Sequence, residues 1–261
     1  MERCVDRWGL TVGDPYAGSQ VSLVLPATRS DGTDTVLKIQ WPHRESEHEA
    51  DALAAWSGEG AVMLLDHDAE MHAMLLERCV PGSHLSDVAE DEALDVLIGL
   101  LPRLWIPAGP QIGTLSDEAT WWHASLEEWS ERAGRPFSQP LLGATLEALR
   151  ELPASQGDQV LLHQDLHPDN VLAATREPWL VIDPKPLAGE REFSVGPIVR
   201  AYELGHDERA VRGRLDRLTA ELGLDRERAR LWAMAQTVAW AVDSGEADAW
   251  HVQTAEWLLA S

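Results

Sequence analysis

The sequence is poor in cysteine and in long apolar runs, and each shortage excludes a class of protein. Its two cysteines among 261 residues, Cys4 and Cys79, lie far apart, so neither a disulfide framework nor a cysteine zinc site is expected. No stretch approaches the roughly 18 apolar residues of a membrane span, and the first residues lack the apolar core of a secretory signal. Together these shortages predict a cytoplasmic protein in a reducing compartment.

Positive charge is also scarce. Asp and Glu number 44 against 21 Lys and Arg, which gives a formal net charge of −23. Nucleic acids and anionic membranes bind to clustered positive charge, so neither is an expected partner. The acidity suits a cationic ligand, although it can equally serve solubility alone. Composition therefore leaves the function open but excludes two common kinds of partner.

Lysine is rarer still, because Lys38 and Lys185 are the two lysines among the 21 basic residues. An ammonium is a compact point charge that fits between phosphate oxygens, whereas arginine prefers planar, bidentate partners. The two lysines are therefore candidates for phosphate contacts. Their chance survival in an arginine-rich chain is the alternative explanation.

The first eighty residues predict a β-rich lobe with one helix. Three apolar runs, WGLTV, QVSLVLPAT and TVLKIQW, are separated by turn residues and predict consecutive antiparallel strands. Two further strands are expected at AVMLLDHD and HAMLLERCV. Between these groups, EHEADALAAW places Glu49, Leu53 and Trp56 on one helical face. The N-terminal lobe is therefore predicted over residues 1–80.

The rest of the chain predicts a mainly helical lobe over residues 84–261. Pro81 and Gly82 indicate a connector at about residues 77–83 between the two lobes. Long apolar periodicity typical of helices begins at DEALDVL, SDEATWW, LLGATLE, ERARLWA and DAWHVQT. It is interrupted once, over 159–186, where two short apolar runs flank a polar loop as in a hairpin. The expected fold class is α+β.

The polar loop carries the residues that phosphoryl transfer needs. His163, Asp165 and Asn170 follow an H-x-D-x-x-x-x-N spacing, and Asp183 ends the next apolar run in VIDPK. In that chemistry a carboxylate orients the attacking hydroxyl and accepts its proton, and Asp165 suits this role. An amide oxygen and a second carboxylate hold Mg²⁺ against the phosphates, which predicts Asn170 and Asp183 as metal ligands.

Lys38 stands in the apolar run VLKI, the context of a lysine that contacts nucleotide phosphates and pairs with a helix glutamate. Glu49 is the preferred partner because it shares a helix face with the apolar stripe, and Glu45 remains an alternative. A turn around Gly13 and Gly18 would cover the phosphates with backbone N–H groups, although two such glycines are ordinarily turn residues. Each feature has an ordinary explanation by itself. Their order along the chain favours a kinase.

With these motifs the chain resembles the aminoglycoside phosphotransferases, especially the branch that groups streptomycin kinases with hydroxyurea-resistance kinases. The resemblance covers most of the chain and rests on VLKIQWP, HEADALAAWSGEGAVMLL, LLERCVPG, LLHQDLHPDNVL and VIDPKPLAGEREFSVGP. It implies a bilobal protein-kinase-like fold, with a small antiparallel sheet and one helix in the first lobe and a larger, mainly helical second lobe. It also implies Mg²⁺ and a nucleotide, ATP or GTP, bound between the lobes.

The same resemblance implies roles for individual residues. Lys38 is expected to contact the α- and β-phosphates, and Lys185 to lie close enough to neutralise phosphate charge. His163 is expected to be structural, and His167 to face the substrate or brace the loop. The adenine is expected to bond to the backbone of the connector, at Glu77, Cys79 and Val80.

Two residues depart from the pattern of the relatives. Gln164 stands where they often carry glycine, so the loop is expected to hold a different backbone or to present a side chain toward the cleft. Ser194, in FSVGP, stands where an aspartate usually braces the catalytic loop, and support for the loop is expected from elsewhere. The chain is also expected to begin late beside relatives with a segment before the first strand, which predicts a reduced nucleotide-covering lobe.

The resemblance and the acidity favour an antibiotic kinase whose acceptor is a cationic, streptomycin-like aminoglycoside. Carboxylates that follow the metal aspartate would attract this acceptor, unless they form a solvated helix face. They are Glu190, Glu192, Glu203 and Asp207. A kinase for hydroxyurea, a peptide antibiotic or a metabolite is the alternative. A nucleotide-binding pseudokinase and a metal hydrolase built on His163, Asp165 and His167 also stay open, as does the choice between monomer and dimer.

Overall fold

The computed structural model describes residues 1–17, 21–243 and 245–260. Gly18, one of the two glycines of the predicted phosphate-covering turn, lies outside the described residues. The N-terminal strands are β1 (Leu10–Val12), β2 (Ser22–Arg29), β3 (Asp34–Gln40), β4 (Leu64–Asp68) and β5 (Ala73–Glu77). Within the described part they form one five-stranded antiparallel sheet in the order β1-β2-β3-β5-β4.

The central strand β3 puts Lys38 in the middle of this sheet, opposite Val24 of β2 and Met74 of β5. Successive side chains of a strand point to opposite faces. Leu37 is fully buried in a small apolar core on one face of the sheet. Lys38 consequently faces the other side, toward the helical part of the chain.

The start of the chain differs from the sequence prediction. A helix, α1 (Glu2–Trp8), precedes the sheet, so the strand predicted from Trp8 is wrong at its first residues. Gly9 adopts a left-handed φ of 58°, and its N–H donates to the carbonyl of Val5, which is how a glycine commonly ends a helix. The first strand therefore begins at Leu10.

Helices dominate after residue 84, as expected. They are α3 (Glu90–Leu104), α4 (Leu115–Arg132), α5 (Gln139–Glu151), α6 (Gly196–Arg200), α7 (Glu208–Leu222), α8 (Arg226–Trp240) and α9 (Ala249–Leu259), while α2 (Glu49–Trp56) belongs to the first part. Helix α7 was not predicted because nearly half of its residues are charged and its buried apolar stripe consists of Val211, Leu215 and Leu218 alone. The predicted α+β class is confirmed.

The predicted hairpin over 159–186 is part of a larger arrangement over 159–190, in which two strand pairs are nested. Strand β6 (Gln159–Leu162) pairs with β9 (Leu187–Glu190), and inside them β7 (Val171–Ala173) pairs with β8 (Trp179–Val181), both antiparallel. Nesting brings the β6–β7 loop against the β8–β9 loop. The N–H of Ile182 donates to the carbonyl of Asn170 at 2.9 Å, and the N–H of Lys185 donates to that of His163 at 3.0 Å.

The larger apolar core runs through the helical part and includes α2, which carries Leu53 and Trp56 into it. The indole N–H of Trp56 donates to the carbonyl of Leu104 at the end of α3, at 2.9 Å. Helix α2 is thus anchored to the helical part while it lies beside the sheet. In the ranges that the structure covers, none of the helices combines the length and apolar character needed to cross a bilayer.

Candidate active site

A cleft of about 650 Å³ lies between the sheet and the helical part. Its walls come from β2 and β3 on one side, from the connector at one end, and from the two loops of the nested strand pairs on the other. Seven residues predicted from the sequence line it together: Lys38, Glu49, Glu77, Cys79, Val80, Asn170 and Asp183. The fold therefore gathers into one cavity residues that lie up to 145 positions apart in the chain.

Lys38 and Glu49 form a buried ion pair in this cleft. The Nζ atom of Lys38 lies 2.8 Å from both carboxylate oxygens of Glu49 and also contacts Asp183. Lys38 is 5% exposed and Glu49 is 1% exposed. Burial alone would lower the pKa of Lys38, but the charges of Glu49 and Asp183 outweigh it and raise that pKa. Glu45, the alternative partner, instead lies 3.6 Å from Lys185.

Asp165 is a carboxylate held by cations. One oxygen lies 3.0 Å from Nζ of Lys185, and the other lies 3.8 Å from a guanidinium nitrogen of Arg200. Burial would raise the pKa of Asp165, but the positive charges of Lys185, His167 and Arg200 outweigh this effect and lower the pKa to about 2. Asp165 is consequently ionised at neutral pH and able to accept a hydrogen bond from a hydroxyl.

His163 fixes the shape of the loop from inside. Its Nε2 lies 2.9 Å from the carbonyl oxygen of Ile182 and donates to it, while Nδ1 accepts from the backbone N–H of Asp165 at 3.3 Å. Burial lowers the pKa of His163 to about 4, so the ring is neutral at pH 7. Both ring nitrogens are occupied within the protein. A metal site built on His163, Asp165 and His167, as in the hydrolase alternative, conflicts with this geometry.

Asn170 and Asp183 present oxygen atoms to the same cleft. The Nδ2 of Asn170 donates to the carbonyl oxygen of Asp165 at 2.8 Å, which directs its amide oxygen elsewhere. Asp183 has a left-handed φ of 56°, a conformation that aspartate tolerates better than most residues, and its side chain is about half exposed. An amide oxygen and a carboxylate are ligands of the kind that Mg²⁺ prefers, so this donor set fits the predicted metal.

The connector is anchored by a residue that sequence reasoning missed. Arg176, in the β7–β8 turn, donates to both carboxylate oxygens of Glu77 at 2.9 Å. It also donates to the carbonyl oxygens of Gly58 and Ala61. Because the Glu77 carboxylate is occupied in this way, a nucleotide contact at this residue would use its backbone.

The other connector residues differ in exposure. Cys79 is buried, and burial raises the pKa of its thiol to about 12, so the thiol stays protonated. Val80 is 48% exposed, and its carbonyl oxygen accepts from the hydroxyl of Thr175 at 2.8 Å. Neither side chain brings charge to the cleft, so this part of its wall suits the binding of a flat heterocycle.

Lys185 lies beside Asp165. In addition to Asp165 and Glu45, it contacts the face of Trp240, with Nζ 4.7 Å from the ring centroid. Arg200 lies over the same ring at 4.6 Å. Arg200 and Trp240 were also missed, because they come from α6 and α8, far from the loop motif in sequence. A phosphate contact for Lys185 stays a prediction.

The acidic residues proposed to attract a cation do not form one cluster. Glu190 is 2% exposed; one carboxylate oxygen lies 2.6 Å from Nε of Arg228, and the indole of Trp232 donates to it. The Glu190 carboxylate is thus fully occupied by partners inside the protein, which favours the structural one of the two roles, structural or substrate contact, that the sequence left open for it. Glu192 accepts from the backbone of residue 225, and Asp207 caps α7.

Glu203 is the member of that group that lies at the loop. Its carboxylate is 2.7 Å from Nδ1 of His167. Burial would raise the pKa of Glu203, but the hydrogen bond and charge of His167 outweigh it and lower that pKa. The same contact raises the pKa of His167 against the opposing effect of burial. The pair thus braces the loop two residues after Asp165, which is one of the two roles predicted for His167.

The structure accommodates both departures from the relatives' pattern. Gln164 has a left-handed φ of 64°, and its side chain is buried rather than directed into the cleft. The hydroxyl of Ser194 donates to the carbonyl of Arg191 at 2.6 Å and accepts from the indole of Trp105 at 3.2 Å. These contacts hold the start of α6 against the end of α3 and leave the loop to other supports.

An ion pair and a cation–π contact join the segment before α2 to helix α4. Arg44 lies 2.5 Å from a carboxylate oxygen of Glu118, and its guanidinium stacks over Trp121 at 4.2 Å. Glu118 is 5% exposed. Burial raises its pKa to about 7, against the lowering effect of Arg44. The folded protein therefore retains a proton on Glu118 at pH values where an unfolded chain has lost it.

We expect Glu118→Gln to reduce the loss of stability with rising pH. A carboxyl whose folded pKa is raised contributes stability that is complete below about pH 4.5 and is lost as the pH passes through 7. The free energy of unfolding should therefore fall less between pH 5 and pH 7.5 in the variant, by about 2 kcal/mol. Urea unfolding at both pH values measures this difference. The exposed neighbour Glu127→Gln is the control, and equal slopes in wild type and Glu118→Gln would contradict the assignment.

The fold and the cleft define a kinase-like phosphotransferase. Among solved structures, the fold is similar to that of a thermostable mutant of aminoglycoside phosphotransferase APH(4)-Ia in a ternary complex with AMP-PNP and hygromycin B. The TM-score is 0.67 at 15% sequence identity, and the match covers 99% of this chain and 97% of that one. The predicted bilobal kinase-like architecture is confirmed.

Sequence comparison gives the family. A family model described as aminoglycoside/hydroxyurea antibiotic resistance kinase matches residues 7–247. The chain is 42% identical over 253 residues to a streptomycin 6-kinase of Streptomyces griseus, covering 93% of this chain and 82% of that protein. It is also 42% identical over 250 residues to a hydroxyurea phosphotransferase of Kitasatospora aureofaciens, covering 93% and 72%. The chain belongs to the aminoglycoside/hydroxyurea antibiotic resistance kinase family, which confirms the resemblance and the prediction of a phosphotransferase.

Proposed function

We propose that the chain transfers the γ-phosphoryl group of ATP to a hydroxyl of a streptomycin-like aminoglycoside, at the 6-position that its relative's name indicates. The observation that carries the proposal is the convergence on one cleft of the Lys38–Glu49 pair, Asn170 and Asp183, with the ionised Asp165 beside it. Identity of 42% to a streptomycin 6-kinase supports the choice of acceptor.

Asp165 is the group that handles the acceptor. Its carboxylate accepts a hydrogen bond from the acceptor hydroxyl and aims the oxygen at the γ-phosphorus. As the new P–O bond forms, the bond between the γ-phosphorus and the bridging oxygen breaks, ADP leaves and the hydroxyl proton passes to Asp165. Most of the rate gain comes from holding the two reactants in line.

Lys38 and the two oxygen donors handle the phosphates. Glu49 holds Nζ of Lys38 at the cleft, where the ammonium would meet the α- and β-phosphates. Asn170 and Asp183 would hold Mg²⁺, which when bound neutralises phosphate charge. The backbone near Glu77, Cys79 and Val80 would bind the adenine. We further propose residues 1–80 as the nucleotide lobe and 84–261 as the catalytic and acceptor lobe.

We expect Asp183→Asn to raise the Mg²⁺ concentration that nucleotide binding requires. Asparagine has the same shape and tolerates the left-handed backbone of this position, so the fold is kept while one anionic ligand is lost. The Mg²⁺ concentration that gives half-maximal ATP affinity should rise at least about tenfold, as measured by calorimetric titration at several Mg²⁺ concentrations. An unchanged Mg²⁺ requirement would remove Asp183 from the metal site.

A second acceptor is favoured by a specific observation, the equal identity of 42% to a hydroxyurea phosphotransferase. The two acceptors differ in charge, because streptomycin is a polycation and hydroxyurea is neutral. The formal charge of −23 and the placement of Glu203 beside the catalytic loop support the cationic one.

Steady-state kinetics with Mg²⁺ decide between these acceptors. Purified protein is tested with ATP and with GTP against streptomycin, hydroxyurea and a cationic peptide antibiotic, and kcat/KM is compared. We expect the highest value with streptomycin and ATP. A higher value with hydroxyurea would keep the chemistry and replace the acceptor. Nucleotide binding without turnover of any acceptor would count against the proposed function and favour a pseudokinase.

A further inference from the structure

The catalytic loop, which joins β6 to β7 and carries Asp165, is held by a buried residue of helix α8. Gln236 is fully buried. Its Nε2 donates to the backbone carbonyl of Gln164 at 2.9 Å, and its Oε1 accepts from Nη1 of Arg200 at 2.7 Å. The other guanidinium nitrogen of Arg200, Nη2, lies 3.8 Å from Oδ1 of Asp165. The contacts thus connect the backbone carbonyl of Gln164, through Gln236 and Arg200, to the side chain of Asp165.

The surrounding structure is shaped to admit this bridge. A Cβ atom on Gly196 would lie 2.6 Å from Oε1 of Gln236, so glycine is needed where α6 meets α8. Trp240 follows Gln236 by one helical turn on the same face of α8, and Arg200 lies over its ring. Helix α8 therefore contributes Gln236, which binds the loop, and Trp240, against which Arg200 packs.

The loop needs this support because the backbone of Gln164 adopts an unfavourable conformation. Gln164 has a φ of 64°, a left-handed conformation that a residue with a Cβ rarely adopts unless its surroundings impose it. Ser194 occupies the place where the resemblance leads one to expect a bracing aspartate, and its hydroxyl bonds to Arg191 and Trp105 instead. The amide of Gln236 bonds directly to the carbonyl that follows the left-handed turn.

We propose that Gln236 and Arg200 are positioning residues for phosphoryl transfer: Gln236 fixes the carbonyl of Gln164, and through Arg200 it fixes the direction of the Asp165 carboxylate. This inference rests on the proposed function, because that function gives Asp165 its role. Neither residue touches the substrate. Their effect is on the geometry of the attacking hydroxyl.

The test is Gln236→Met, which keeps the length of the side chain and removes both hydrogen bonds. We expect kcat with streptomycin and Mg-ATP, expressed per nucleotide-binding site, to fall about 10- to 100-fold, because a misplacement near 1 Å costs about 10²-fold. The KM for ATP should stay within about twofold, since the nucleotide contacts are untouched. Counting sites by nucleotide titration separates this effect from a loss of folded protein.

Thr237→Val is the matched control. Thr237 is fully buried, adjacent in the same helix, and its hydroxyl bonds to the carbonyl of Ala233 within α8. It should keep the wild-type kcat. If Gln236→Met fails to unfold cooperatively, Gln236→Glu replaces it, because glutamate keeps an acceptor for Arg200 and removes the N–H that binds Gln164. That variant should lose about tenfold in kcat.

The outcomes separate this inference from the proposed function. If a Gln236 variant keeps the wild-type kcat while the separate variant Asp165→Asn abolishes transfer, the inference alone is overturned. Full activity of Asp165→Asn would overturn the role of Asp165, and with it the reason for holding it. An equal loss in Thr237→Val would show that any change within α8 lowers kcat, and would also overturn the inference.

Discussion

Asp165→Asn is expected to lower kcat by at least about 10²-fold, the usual contribution of a positioned acid or base, while the affinity for nucleotide stays within about twofold. Asparagine has the shape of aspartate but presents no full negative charge to the acceptor hydroxyl and takes no proton from it. The pKa of Asp165, lowered to about 2 by Lys185, His167 and Arg200 against the effect of burial, means that the wild-type group is ionised throughout the working pH range. The substitution therefore removes a charge that is fully present.

Single-turnover measurements with saturating Mg-ATP isolate this effect, because they exclude product release. Asp225→Asn is the matched control: Asp225 caps α8 through its side chain, and asparagine caps a helix equally well. We expect the control to keep its rate. A rate for Asp165→Asn within threefold of wild type would remove Asp165 from the chemistry, as would an equal loss in the control.

Lys38→Met is expected to lower kcat/KM for ATP by about 10- to 10²-fold, since a charged hydrogen bond contributes about 1.5–3 kcal/mol. It should also destabilise the protein by about 3–5 kcal/mol at pH 8, because Glu49 is left as an unpaired buried charge. Without Lys38 the folded state favours the protonated form of Glu49, so the deficit in the free energy of unfolding should shrink as the pH falls toward 5. Urea unfolding at both pH values measures it.

The double variant Lys38→Met with Glu49→Gln separates structure from function. Removing the second charge should restore most of the stability, because a neutral amide at position 49 no longer carries an uncompensated charge. It should restore none of the kcat/KM, because the ammonium that meets the phosphates is still missing. Recovery of turnover in the double variant would show that Lys38 acts only by pairing with Glu49.

The features that the sequence indicated directly came from patterns complete within a short stretch of the chain. The spacing of His163, Asp165 and Asn170 lies in one loop, and Lys38 is marked by its apolar strand. The helical part was predictable because α3, α4 and α8 have strong apolar periodicity. These local signals were enough to give the fold class and to pick out Lys38 and Asn170, which line the cleft, while the phosphate and metal roles of these residues stay predictions.

The features that the sequence did not indicate depend on contacts between residues that are distant along the chain. Gln236 meets Gln164 across 72 positions, and Arg176 meets Glu77 across 99; nothing near either residue indicates its partner. Glu190 was a candidate acceptor contact because it follows the metal aspartate in sequence, yet its carboxylate contacts Arg228 and Trp232 inside the protein. The strand pairing over 159–190 was oversimplified because four short strands permit several pairings.

The most direct test of the proposed function is the mass of the product formed from streptomycin. Wild-type protein and Asp165→Asn are incubated with Mg²⁺, ATP labelled at the γ-phosphate, and streptomycin, and the product is analysed for mass and for the position of the label. We predict one added phosphate, carrying the label, on the 6-hydroxyl in the wild-type reaction and almost none with the variant. Unmodified streptomycin after full binding of nucleotide, or equal product with Asp165→Asn, would contradict the account.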